Sequence, residues 1–368
     1  MKAKRLRVAV VGLGIGNSHL ESFAKLADQF ELKAVCDLDE TKAIGATARF
    51  GVGWHTANFS DLLASAELDL IDICTPPHTH RMLIEQALDA GFNVICEKPL
   101  VGSLQDVDAI AAALAKSKGT LFPIFQYRFG HGLQKLKHLQ ARGFAHTPYL
   151  TTIETTWRRD ADYYAIPWRG KWATELGGCC LTQALHAHDM LTYVNGPIKT
   201  VFAHLATRVN AIEAEDCAAI SVGMADGSVA TLAVTLGAAQ NTSSLRFMFS
   251  DLTAESHSAD PYRPGKDPWH FQGKSPEIDA AIAAALADFE PARESFEGEF
   301  ELIHAALTGA AAAPVTLADA RQSLELITAI YHSAETGTAV SLPIPLGHPK
   351  YKSWLPAAGR FARGAHLG

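Results

Sequence analysis

The segment Val8–Leu20, VAVVGLGIGNSHL, constrains this chain more than any other. Val8-Ala9-Val10-Val11 is a run of small and β-branched residues suited to a strand buried on both faces. Gly12, Gly14 and Gly16 follow at once, separated by Leu13 and Ile15, and Asn17 opens a helical stretch. A chain that leaves a strand, turns on glycines and enters a helix aims unpaired N–H groups at one spot. The helix dipole adds positive charge there, so a pyrophosphate is the natural ligand. The match to G-x-G-x-x-G is imperfect, because the third glycine falls one position early and Asn17 holds its place. Glycine clusters also arise for steric reasons alone.

Two further features strengthen the reading. Glu31–Cys36 reads as a second strand and Asp37 ends it, roughly twenty residues past the glycines, where a dinucleotide fold places an acid for the adenosine ribose diol. An isolated Asp would more simply cap the following helix. Asp37 would repel a 2′-phosphate and no arginine stands beside it, so NAD is expected rather than NADP, with Lys33 and Lys42 the nearest cations.

A chain of 368 residues suits two domains rather than one core. The alternation of short apolar strands with amphipathic helices over residues 1–125 predicts an α/β doubly wound parallel sheet, a Rossmann domain. Its strands are expected at Leu6–Val11, Leu32–Cys36, Leu70–Cys74, Asn93–Cys96 and Leu121–Phe125. Helices are expected at Asn17–Asp28, Glu40–Phe50, Thr79–Ala90 and Leu104–Lys116. Residues 126–356 change rhythm, with longer strands at Thr151–Trp157, Lys199–Thr207, Asp216–Met224, Ser228–Leu236 and Ser244–Phe249. They predict an α+β domain with an open, mostly antiparallel sheet and a hairpin turn at Asp226-Gly227. Ser256–Lys274 reads as a loop, and helices are expected at Pro276–Asp288 and Leu317–Thr336, the last a candidate to pack back on the first domain. The tail, residues 357–368, carries no pattern.

Composition excludes several classes of function. A net charge of −7 and the absence of a lysine- or arginine-rich block argue against nucleic acid and membrane surfaces. Lys2, Lys4, Arg5 and Arg7 ahead of an apolar run suggest a signal peptide, but the glycines break that run, so a cytoplasmic protein is expected. The six cysteines lack zinc spacing and read as reduced core thiols; no metal site is expected.

Three motifs can carry chemistry. DLIDICTPPHTH, Asp69–His80, runs a buried strand into Thr75-Pro76-Pro77 at the sheet edge where ligands bind. His78 and His80 are alternate residues near a helix start and diverge, so a cofactor contact or helix packing suits His80 better than metal. GFNVICEKPL, Gly91–Leu100, ends its strand on Glu97-Lys98-Pro99 and places an ammonium where nicotinamide should lie. In ELGGCCLTQALHAHDML, Glu175–Leu191, helical spacing would put Thr182, His186 and Asp189 on one face, with His188 turned away. A histidine is suited to take a proton from an alcohol while hydride leaves the same carbon. Upstream, YYAIPWRGKW, Tyr163–Trp172, offers Trp168, Arg169, Lys171 and Trp172 either as a sugar-pocket wall or as an aromatic cluster packing the sheet.

Together these motifs, with SLELITAIYHSAETGTAVSLP at Ser323–Pro343 and His348-Pro349-x-Tyr351, resemble the glucose–fructose oxidoreductase / inositol dehydrogenase / MocA family over nearly the whole chain. The resemblance implies NAD(P)-linked chemistry on a sugar or polyol and a homodimer or homotetramer assembled through the C-terminal sheet. The family's lysine maps to Lys98 and its histidine to His186, the expected catalytic pair. Gln126 is implied as a cofactor contact and Arg128 as a substrate contact. Many relatives carry Asp where this chain has Thr182; threonine can hydrogen-bond substrate but cannot serve as a base near neutrality. A dinucleotide-sensing regulator without catalysis, and transient oxidation of a glycoside before elimination, are the other readings.

Overall fold

The computed structural model describes residues 4–65 and 67–356. Lys2 of the signal-like segment and the tail Ala357–Gly368 lie outside the described residues. The chain divides into two compact units, one running through Phe125 and including Phe296–Arg321, the other Gln126–Ser295 with the chain from Gln322.

The first unit holds a six-stranded sheet of β1 (Leu6–Val11), β2 (Phe30–Cys36), β3 (Trp54–Thr56), β4 (Leu70–Ile73), β5 (Asn93–Cys96) and β6 (Leu121–Pro123). Their order is β3-β2-β1-β4-β5-β6 and every pair is parallel. From β1 the chain builds outward through β2 on one side and β4 on the other, which opens the ligand crevice at the carboxyl ends of β1 and β4. Val8, Val10, Ile71 and Ile95 are fully buried, as strands covered on both faces require. Asp39 caps the helix Glu40–Phe50 by accepting from Thr41 N and Lys42 N, and left-handed Gly51 ends it.

The sequence reading contained no helix at Ser295–Leu307, yet one forms there. Phe296, Phe300 and Ile303, spaced i, i+4, i+7, enter the core of the first unit, and Phe300 stacks on Phe23 at 4.2 Å. Burial of three such side chains stabilises the unit by about 1.5–3 kcal/mol each. The segment that returns to the Rossmann sheet is therefore Phe296–Arg321. Of the long helix Leu317–Thr336 only the first turn belongs to it, with Arg321 donating to Asp108 at 2.7 Å.

The second unit holds an eight-stranded sheet: β7 (Pro148–Arg158), β8 (Ile198–Ala206), β9 (Cys217–Met224), β10 (Val229–Thr235), β11 (Gly237–Phe249), β12 (Leu252–Ser258), β13 (His270–Gly273) and β14 (Val340–Ser341). The order is β13-β12-β11-β7-β10-β9-β8-β14, antiparallel except for the parallel pair β7–β10. One face is apolar and buried, including Ile153, Trp157, Ile220, Leu232 and Phe247. On the other, Glu154, Ala219, Ser221, Thr231, Ala233 and Arg246 are exposed. Part of the expected Ser256–Lys274 loop is strand: β12 continues to Ser258, and β13 pairs with it through Glu255↔His270 and Thr253↔Gln272. Proline and glycine between them masked the pairing in the sequence.

Candidate active site

On the first unit, the three glycines have different surroundings. Gly12 has φ +89°, and a Cβ there would sit 2.8 Å from Cys74 O and 2.9 Å from Thr75 N. At Gly16 a Cβ would meet Val10 Cγ1 at 3.0 Å, so this early glycine performs the close helix–strand packing expected of the third position. At Gly14 nothing lies within 4 Å. The middle glycine thus leaves open backbone where a pyrophosphate can approach the start of the helix Gly16–Lys25. Asn17, where the motif has glycine, turns its amide back to Leu13 O at 2.5 Å. Substituting Gly14→Ala is expected to leave thermal stability unchanged and to raise the NAD Kd by about tenfold or more, read by fluorescence titration.

Asp37 secures this turn. Its Oδ2 accepts Leu13 N at 2.7 Å and its Oδ1 accepts Asp39 N at 2.8 Å, with lone pairs left over for ribose hydroxyls. The helix cap belongs to Asp39 instead. Beside it Leu38 is 92% exposed and Ile15 46%, apolar surface suited to a flat adenine; Ile15 belongs to the predicted turn, whereas sequence reasoning had not singled out Leu38.

Thr75, Pro76 and Pro77 lead out of β4, and Thr75 Oγ1 lies 2.7 Å from Thr79 Oγ1. The His80 side chain, read from the sequence as a cofactor contact or as helix packing, is wholly enclosed in the folded chain. Its Nε2 faces Thr75 O at 2.8 Å and its Nδ1 faces Pro99 O at 3.0 Å, so it ties the two loops together from beneath. Burial lowers its pKa, while the carbonyls around it pull the other way. The Glu97 carboxylate likewise has internal partners. It is 4% exposed, accepts Lys98 N at 2.9 Å, and lies 3.1 Å from His19 Nε2. His19 Nδ1 in turn lies 2.8 Å from Asp72, with Phe296 and Phe300 against the ring. Burial alone would lower the His19 pKa, but the Asp72 charge prevails and holds it well above the usual histidine value. This buried His19–Asp72–Glu97 chain fixes the strand end from which half-buried Lys98 projects. Sequence reasoning missed it because its members are up to 78 residues apart.

On the second unit, His186 is 3% exposed and stacks on Tyr127 at 4.2 Å. The expected single helix is two, Cys179–Thr182 and Leu185–Asn195. Ala184 N donates five residues back to Cys179 O at 2.9 Å, a widened turn that breaks the expected i, i+4 spacing between Thr182 and His186. Thr182 Oγ1 bonds Gly178 O at 2.8 Å and also meets Gln183 Oε1. Asp189 pairs with Arg128 through Nε at 2.7 Å and Nη2 at 2.6 Å, both residues buried. Through this pair Arg128, expected as a substrate contact, also braces the His186 helix. His188 is buried on another side, its pKa pushed down to about 3 by burial. Gln126 is buried with Oε1 lacking a partner, an acceptor available to a ligand amide.

The Tyr163–Trp172 segment forms a cluster. Arg169 donates to Tyr163 OH, stands over the Tyr163 ring at 4.0 Å and the Trp168 ring at 4.6 Å, and lies 3.7 Å from Glu175. Gln183 Nε2 reaches the same phenol at 2.9 Å. Trp172 is instead tied to Glu213 and packs on Tyr331 at 5.3 Å, an anchoring role. A cleft of about 640 Å³ is lined by Arg158, Arg159, Asp160 and Asn210 and by none of the site residues named from the sequence.

Glu215 supports the start of the helix Cys179–Thr182, accepting Gly178 N and Cys180 N at 3.1 Å and Tyr331 OH at 3.1 Å. Burial pushes its pKa from 4.5 up to about 7, against these donors. The folded state then holds the extra proton between those values, so stability falls as pH rises through that window. The loss amounts to about 3 kcal/mol. Glu215→Gln is expected to remove that slope, measured by denaturant unfolding from pH 4.5 to 7.

Residues 6–125 match the family described as oxidoreductase family, NAD-binding Rossmann fold, and residues 133–255 match the GFO/IDH/MocA C-terminal domain. The crystal structure of the WlbA dehydrogenase from Chromobacterium violaceum with NADH and UDP-GlcNAcA superposes with a TM-score of 0.83 at 29% identity, covering 94% of this chain and 98% of that one. D-Glucoside 3-dehydrogenase of Escherichia coli is 25% identical over 93% of this chain and 99% of its own length. Myo-inositol 2-dehydrogenase of Thermotoga maritima is 30% identical over 54% of this chain and 58% of the enzyme, less than two thirds of its length. Among the described residues no helix is long and apolar enough to cross a membrane. With both of its domains matched, this chain belongs to the Gfo/Idh/MocA family of NAD-binding sugar and polyol oxidoreductases.

Proposed function

We propose that the protein is an NAD-dependent dehydrogenase acting on a secondary alcohol of a sugar or sugar derivative, with Lys98 and His186 serving one reacting hydroxyl. The observation that carries this reading is Lys98 at the carboxyl end of β5, in the sheet whose open Gly14 turn is shaped for pyrophosphate. The relatives and neighbours named above act on or bind sugars, cyclitols and nucleotide sugars, which supports the substrate class.

Bound NAD supplies the hydride acceptor. Gly12–Asn17 would hold its pyrophosphate and Asp37 its ribose diol, and Leu38 would lie against its adenine. His186 receives the hydroxyl proton as the C–H bond breaks, and its stacking on Tyr127 fixes the plane in which it does so. The Lys98 ammonium donates to the same oxygen and stabilises its growing negative charge. Reduction of the ketone uses the same groups in reverse. Thr182 takes no part as a base; its hydroxyl is engaged with Gly178 O and Gln183.

The preference for NAD over NADP rests on Asp37 and on the engagement of the nearby lysines. Lys33 lies 3.0 Å from Glu31, and Lys42 lies 3.8 Å from Asp39. Asp37→Ser is expected to weaken NAD by about tenfold, the loss of one charge-assisted hydrogen-bond set, while NADP gains. Parallel titrations with the two cofactors check it. The exposed face of the eight-stranded sheet suits assembly into a homodimer or homotetramer. Six unpaired cysteines, five of them buried, suit a reducing cytoplasm. The test of the reading is an NADH-formation screen over hexoses, inositols, uronic acids and nucleotide sugars; a protein that binds NAD yet turns over none of them contradicts it.

A further inference from the structure

We infer that the substrate carries an oxyanion, a carboxylate or a phosphate, seated on Arg159 with Tyr163 and Arg169. This deepens the dehydrogenase reading and rests on taking the surroundings of His186 as the substrate end of the site.

Arg159 was not singled out by any motif. It stands just past the end of β7, two residues after Trp157, and is 9% exposed. Its Nη1 donates to Arg158 O at 2.6 Å and to Asn241 Oδ1 at 3.4 Å, and its Nη2 donates to Tyr262 OH at 2.6 Å. The guanidinium stands 5.0 Å from the Trp157 ring, 5.2 Å from Tyr163 and 5.5 Å from Tyr262. Among the described residues no carboxylate lies within 4.0 Å of it. A guanidinium cannot shed its proton, and a buried charge without a counter-charge is costly. Neutral acceptors and aromatic faces offset part of that cost, but the full charge remains uncompensated.

The neighbouring groups point the same way. Arg169 has Nε enclosed with no partner, although its Nη1 meets Tyr163 and Glu175. Tyr163 OH accepts from both Arg169 and Gln183, and no acceptor for its own proton is found among the described residues. Two guanidiniums balanced by one carboxylate, plus a phenol proton without a destination, form a cluster with donors and positive charge in excess. Its complement is an oxyanion. The cluster is tied to the His186 segment through Gln183, which is bonded to Tyr163 and lies in the turn that joins the Cys179–Thr182 helix to the helix of His186.

The experiment uses the whole chain with NADH bound. Glucose, glucuronate, glucose 1-phosphate and UDP-glucuronate are titrated by calorimetry against wild type, Arg159→Gln and Arg159→Lys. The expected result is that at least one anion binds roughly thirtyfold more tightly than glucose, the lower end of what a desolvated charge pair contributes. That preference is lost in Arg159→Gln and partly kept in Arg159→Lys. Preference for glucuronate assigns a carboxylate and preference for glucose 1-phosphate assigns a phosphate; UDP-glucuronate carries both groups and reports the oxyanion seat itself. Tyr163→Phe, which removes one donor and no charge, serves if Arg159→Gln does not fold, and is expected to weaken the anion selectively. Equal binding of glucose and all anions, or anion binding indifferent to both Arg159→Gln and Tyr163→Phe, overturns the proposal. NADH formation from neutral sugars alongside that result would leave the dehydrogenase reading standing. Arg159-dependent anion binding without turnover of any sugar would support the oxyanion seat and fail the dehydrogenase reading.

Discussion

Replacing His186 with alanine is expected to lower kcat by about two to four orders of magnitude, the range that a positioned proton acceptor contributes. Lys98→Met is expected to cost a similar factor, because the ammonium acts on charge that appears only as the proton departs. Neither substitution should move the NAD Kd by more than about twofold, since the proposal gives cofactor binding to the Gly12–Asn17 turn and Asp37. His186 is buried and stacked on Tyr127, so alanine also leaves a cavity; His186→Asn keeps most of the volume and separates chemistry from packing. Steady-state kinetics with a substrate found in the screen, beside cofactor titration, makes the check. Turnover within about tenfold of wild type in both variants would contradict the assignment of roles.

The second large effect is expected at Gly12. Its φ of +89° is a conformation that side chains resist, at about 1–2 kcal/mol. A Cβ there would also meet Cys74 O, Cys74 C and Thr75 N at 2.8–2.9 Å, all backbone atoms at the end of β4 that cannot swing aside. Overpacking adds about 1–3 kcal/mol, so Gly12→Ala is expected to cost about 2–5 kcal/mol of folding stability. NAD binding should be lost with it, because the carboxyl ends of β1 and β4 must separate. Gly14→Ala is the control: nothing stands within 4 Å of its added methyl, so stability holds while cofactor affinity falls. Denaturant unfolding and cofactor titration on both variants test the pair. Equal destabilisation at the two positions would show that the glycines do not divide their work in this way.

The Rossmann sheet was legible because its signals are local. β1 and β5 occupy the residues their apolar runs predict, each bounded by glycine or a charged turn. Asp37 and Lys98 were legible for the same reason, as residues at strand ends. What the sequence hid depends on distant partners. Glu97 and His80 sit in motifs at the ligand edge, yet their side chains turn inward to His19 and to loop carbonyls, which no spacing rule reveals. Phe296–Ile303 has helical periodicity, but its glutamates at 297, 299 and 301 gave no sign that it rejoins the first unit. Arg128 and Asp189, 61 residues apart, form an ion pair that only the fold brings together. Arg159 lies at a strand end like many surface arginines; its burial among aromatic rings is what marks it.

A crystal structure with NAD and an unreactive substrate analogue puts the central claim to its most direct test. The expected result is one hydroxyl oxygen within hydrogen-bond reach, about 2.6–3.2 Å, of both the Lys98 ammonium and the His186 imidazole. An analogue bound with either side chain turned away from the carbon facing the nicotinamide would contradict it.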